Sequence, residues 1–133
     1  MVAQHRVRAA YMRGPALAVA VAVLGLMCAR PAQAHAFLDH SIPAVGSSVP
    51  TSPSVISLWY TEDVEPAFSK VTVTNSSGQD VDLGNTHLVQ GQANELQLGL
   101  KPLPPGTYSV QWHVISVDTH RTQGTFTFDV GGK

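Results

Sequence analysis

Five histidines lie beyond residue 34: His35, His40, His87, His113 and His120. They share that stretch with all nine carboxylates of the chain, whereas Cys28 and the three methionines, Met1, Met12 and Met27, all precede it. Metal chemistry through sulfur has no donor there, so imidazole, carboxylate and amine nitrogen are the groups to weigh. His35 stands apart because a histidine that opens a chain can chelate one ion through both its amino nitrogen and its ring. An α-amino group, with an unperturbed pKa of about 8, yields its proton to a metal far more readily than a lysine does. Nitrogen-rich tetragonal sites of this kind suit Cu(II), which heads the divalent affinity order. A different amino-terminal site, with histidine third, is excluded because Phe37 stands there. The plain alternative is that cleavage merely happens to leave a histidine first.

Asp118 and His120 form the second element, within Ser116-Val117-Asp118-Thr119-His120. Residues two apart on an extended or turning backbone can point their side chains the same way. A carboxylate and an imidazole so placed would complete a site begun by two nitrogens of His35. Alone, Asp-x-His describes an ordinary surface pair. Combined with a terminal histidine in a body free of sulfur, it reads as a pair of ligands.

Both elements depend on what precedes residue 35. Arg6, Arg8 and Arg13 give a basic start, an apolar run extends from Ala16 to Cys28, and Ala32-Gln33-Ala34 offers small residues just before His35. That order is the pattern of a secretory signal. The run is about 13 residues, short of the roughly 20 that a membrane-spanning helix needs. Residues 1–34 are therefore expected to be a cleaved signal peptide, and residues 35–133 one exported domain without a membrane span. Met27 before Cys28 argues against a lipidated cysteine, since that processing wants a small residue. The exported part carries four basic and nine acidic residues, a net charge of −5, which excludes a basic nucleic-acid binder. Its size excludes a multidomain enzyme.

The elements that would position the ligands alternate in polarity. Val55–Tyr60, Val71–Val73, Leu96–Leu100, Tyr108–Val114 and Phe126–Val130 have period two and β-favouring residues, with turn clusters rich in Gly, Pro, Asn and Ser between them. Leu103-Pro104-Pro105-Gly106-Thr107-Tyr108 has the form of a tyrosine corner, a mark of Greek-key sandwiches. The expected fold is all-β: a small Greek-key sandwich or barrel of about seven strands, immunoglobulin-like. Trp59 and Trp112 are assigned to its core. His113 alternates with Tyr108, Val110, Trp112 and Val114, which puts it on the opposite, outer face.

Several stretches resemble the CopC family of periplasmic copper-binding proteins. They are Ala34-His35-Ala36-Phe37-Leu38, Pro43-Ala44-Val45-Gly46-Ser47, Ser57-Leu58-Trp59-Tyr60 before Glu62, the segment Leu103–Tyr108, and Trp112–His120 followed by Gly124 and Phe128. The resemblance covers nearly all of residues 35–133. It implies a Greek-key fold, a periplasmic location and one Cu(II) ion held by the amine and imidazole of His35, by Asp118 and by His120. It also implies sequestration of copper or its delivery to an inner-membrane importer of the CopD type. Some members hold Cu(I) in a Met-rich loop; this chain has no methionine after residue 27, so no such site is expected unless His40 or His87 substitutes.

Other candidates have simpler readings. His40 suits an exposed strand position, although it could flank the site. Glu62, Asp63 and Glu65 lack the spacing of a Ca2+ loop and read as a solvated acidic rim. Two alternative functions stay open: a copper-dependent monooxygenase-like enzyme using the same brace, and a metal-free structural or adhesion sandwich. An anionic Asp118 ligand and a small body weigh against the enzyme.

Overall fold

The computed structural model describes residues 36–131. The expected leader, residues 1–34, and His35 lie outside the described residues. Eight strands run in order: β1 (Leu38–Ile42), β2 (Ser48–Val49), β3 (Val55–Tyr60), β4 (Lys70–Thr74), β5 (His87–Val89), β6 (Gln92–Gly99), β7 (Gly106–Ile115) and β8 (Arg121–Val130). A 3-10 turn, Pro66–Phe68, precedes β4. They form two four-stranded sheets, ordered β1-β3-β6-β5 and β2-β8-β7-β4, so the architecture is a sandwich. All pairings are antiparallel except β2 with β8.

The alternation predicts which side chains meet between the sheets. On β7, Tyr108, Val110, Trp112 and Val114 are buried while Gln111 and His113 are exposed. On β8, Phe126, Phe128 and Val130 face inward from the paired strand. The opposite sheet supplies Ile56, Leu58, Tyr60, Leu96 and Leu98. Burying each such side chain contributes roughly 1.5–3 kcal/mol before chain entropy is charged against it. Tyr60 meets Trp112 edge-on, with ring centroids 5.5 Å apart.

The tyrosine corner forms as expected. The Tyr108 hydroxyl donates to the Pro104 carbonyl at 2.5 Å, and the Tyr108 ring stacks on its cross-strand partner Phe128. Gly124, opposite Trp112 in the β7–β8 register, gives the indole room: a Cβ there would stand 2.6 Å from Trp112 Cζ2.

One expectation needs correction. Trp59 is half-buried on the outer face, stacked on His40 at 4.4 Å. Its neighbours Leu58 and Tyr60 face the core, and period two then sends Trp59 outward. The eight strands agree with the expected sandwich of about seven; β2 is a two-residue strand paired with β8.

Candidate metal centre

The loop between β7 and β8 brings Asp118 and His120 together. Asp118 Oδ2 lies 3.1 Å from His120 Nδ1, and both side chains are a little under half exposed, at 42% and 45%. Between them Thr119 adopts φ 71°, a left-handed conformation unusual for a β-branched residue. This turn, rather than an extended strand, makes the two side chains face one another.

Ser116 is the fixed point of the loop. It is 1% exposed, and its hydroxyl donates to Asp118 Oδ1 while accepting the His120 backbone N–H at 3.2 Å. Its own N–H donates to the His120 carbonyl, and its carbonyl accepts from Thr119. An isolated β-bridge to Val64 holds Ser116 from the other side. The Ser116 hydroxyl, and after it the His120 side chain, hold the Asp118 carboxyl below the usual carboxylate range. Asp118 is thus an anion throughout the neutral range.

The start of the described chain is tied to the same end of the sandwich. The Thr122 hydroxyl donates to the Ala36 carbonyl at 2.6 Å, two residues after His120. Phe37 exchanges hydrogen bonds with Thr61, its N–H to the Thr61 hydroxyl at 3.0 Å and its carbonyl from the Thr61 N–H at 2.8 Å. Ala36 is fully buried. The acidic segment lies alongside: the Asp63 carbonyl accepts the Val117 N–H, and the Glu65 N–H donates to Ile115. Glu62 and Asp63 are exposed, and Glu65 is half-buried.

The other histidines sit apart from this pair. His40 is exposed on β1, with Nδ1 2.8 Å from Asp39 Oδ2. His87 bonds the Asn85 carbonyl at the far edge of that sheet. His113 is exposed on the outer face of β7, between Lys70 and Gln123. Among the described residues, no three or more His, Cys, Asp or Glu side chains gather where they could hold a metal ion; the Asp118–His120 pair is what the fold assembles.

As a donor set the pair is suited to a cation. A cation taking the place of the Nδ1 proton would meet His120 Nδ1 and Asp118 Oδ2, 3.1 Å apart, from one side. The Ser116 hydroxyl is bonded to Oδ1, which leaves Oδ2 to face an ion. Reading the sequence did not single out Ser116 as the organiser, nor Thr122. A serine two residues before an Asx-type turn was the available signal.

Residues 38–131 match the CopC domain. The chain belongs to the CopC family. Among CopC relatives, Protein YobA of Escherichia coli K12 is 36% identical over 116 residues, 86% of this chain and 94% of YobA. The crystal structure of CopC from Methylosinus trichosporium OB3b superposes with a TM-score of 0.68 at 31% identity, over 72% of this chain and 93% of that one. PcoC of Escherichia coli, described as a methionine-rich copper resistance protein, gives a TM-score of 0.65 at 31% identity, over 73% and 99%. Unlike a methionine-rich chain, this CopC-family member has its three methionines at positions 1, 12 and 27 alone. No helix among the described residues is long and apolar enough to cross a membrane.

Proposed function

We propose that this CopC-family protein is a periplasmic copper carrier or buffer that takes up one Cu(II) ion. In this reading residues 1–34 are removed on export, and His35 becomes the first residue. Its amine and imidazole supply two nitrogens, Asp118 an anionic oxygen and His120 a third nitrogen. The protein then sequesters the ion or passes it to a CopD-type importer in the inner membrane.

One observation carries the proposal: the Asp118–His120 pair and the Ala36–Thr122 hydrogen bond occupy one neighbourhood. Ala36 is the residue after His35, and consecutive Cα atoms are only about 3.8 Å apart. In this reading His35 directly precedes a residue anchored two positions beyond His120. Family membership, with a copper resistance protein among the structural relatives, supports copper as the cargo. With no Met or Cys after Cys28, nitrogen and oxygen donors favour Cu(II) over Cu(I).

The decisive measurement is mass spectrometry of the exported form, followed by Cu(II) titration. A mature mass starting at His35 and a tetragonal spectrum saturating at one equivalent are expected. One extra residue before His35 should abolish that spectrum; equal binding by the extended form sinks the brace. Binding should also weaken on acidification, because the amine and imidazoles ligate unprotonated. Copper carriage rather than oxygen chemistry predicts no sustained peroxide production when the loaded protein meets ascorbate.

A further inference from the structure

We infer that Ser116 is the positioning residue of the copper site, acting through Asp118, a conclusion that rests on the proposed function. Three features single it out. It is buried at the root of the loop. Its hydroxyl has one proton, which the nearer acceptor, Asp118 Oδ1, takes in preference to the His120 carbonyl at 3.3 Å, while the hydroxyl oxygen accepts the His120 N–H. One side chain therefore fixes the orientation of Asp118 and the backbone of His120 together.

The geometry also divides the carboxylate. Oδ1 is turned toward Ser116 and Oδ2 toward the His120 ring. A carboxylate pinned at one oxygen meets an ion through the other, as a monodentate ligand at a set angle. Without the hydroxyl, Asp118 can rotate about χ2, a broad and weakly restrained torsion, and either oxygen or both can approach the metal. Thr119, held at φ 71°, keeps the backbone curved but does not restrain that rotation. Removing partners that orient a metal ligand typically lowers metal affinity by about 10–100-fold.

The experiment titrates Cu(II) into wild type, Ser116→Ala, Ser116→Thr, Asp118→Ala, His120→Ala and the Ser116→Ala/Asp118→Ala double variant, all starting at His35. Affinity and the copper electron paramagnetic resonance spectrum are recorded for each. Ser116→Ala should bind about 10–100-fold more weakly with altered g and hyperfine values, and Ser116→Thr, which keeps the hydroxyl, should restore both. In the Asp118→Ala background, Ser116→Ala should cost much less than in wild type, because the carboxylate it orients is gone and only its hold on the His120 N–H remains. That non-additivity separates positioning from a general structural loss, and it decides the matter even if the threonine methyl does not fit. A folded Ser116→Ala protein with wild-type affinity and spectrum overturns the inference, as does full additivity with Asp118→Ala. If Asp118→Ala and His120→Ala themselves bind like wild type, the proposed site is wrong and this role falls with it.

Discussion

The Ala36 carbonyl accepts the Thr122 hydroxyl at 2.6 Å across 86 positions of sequence. This bond ties the residue next to His35 to the strand that opens just past His120. Thr122→Val keeps the branched shape and removes the donor, leaving a buried Ala36 with an unmet carbonyl. The variant should lose about 1 kcal/mol in urea unfolding and bind Cu(II) more weakly, because the proposed amine ligand is less well held. Thr122→Ser should retain most of both. Unchanged copper affinity in a measurably destabilised Thr122→Val protein would separate the anchor from the site.

Acid should weaken the metal-free fold partly through Asp118. Its folded pKa is depressed from 3.8, chiefly by the Ser116 hydroxyl and then by His120. A depressed carboxylate stabilises the fold above its unfolded pKa, and that contribution disappears as pH falls through the lower folded value. Wild type should therefore exceed Asp118→Asn in stability at pH 5, and the gap should narrow in unfolding curves taken below about pH 3.8. A gap that grows on acidification contradicts the assignment.

Tyr60 and Tyr108 should respond oppositely to loss of the hydroxyl. The Tyr108 hydroxyl donates to Pro104, so Tyr108→Phe should cost about 1 kcal/mol. The Tyr60 hydroxyl is buried without a hydrogen-bond partner among the described residues. Tyr60→Phe should therefore gain about 1 kcal/mol by removing an unpaired polar group. Burial pushes the Tyr60 phenol well above its usual 10.0. A raised folded pKa gives a contribution present below the unfolded value and lost as pH climbs past it, so alkaline destabilisation above about pH 10 should be milder in Tyr60→Phe. Thermal melts at pH 7 and pH 11 test both statements.

Gly124→Ala should be among the more damaging small substitutions in the sheets. The added methyl would stand 2.6 Å from Cζ2 and 2.8 Å from Cε2 of Trp112, and the indole is packed edge-on against Tyr60. Overpacking of this sort costs about 1–3 kcal/mol. The near-ultraviolet circular dichroism of Trp112 should shift along with the melting point; a wild-type melt and spectrum would show that the indole moves without cost.

By itself the sequence determined the sandwich and pointed to Asp118 and His120 as candidate ligands. Side chains two apart must share a face of a strand, so the alternation through Tyr108–Val114 and Phe126–Val130 was enough to assign their buried sides. The Pro104–Tyr108 corner is likewise local, spanning four positions. Asp118 and His120 were legible because their partnership is also between near neighbours. What only the tertiary structure decided is non-local. β1, β2 and β5 are short segments lying at sheet edges, and their extended form is selected by the strands beside them rather than by their own residues. Trp59 looked like core by its size, yet the inward positions of Leu58 and Tyr60 left it outside with His40. The role of Ser116 depends on Val64 bridging from far upstream, and the Ala36 anchor depends on Thr122. No periodicity records such contacts, because they are chosen by how the two sheets close on each other.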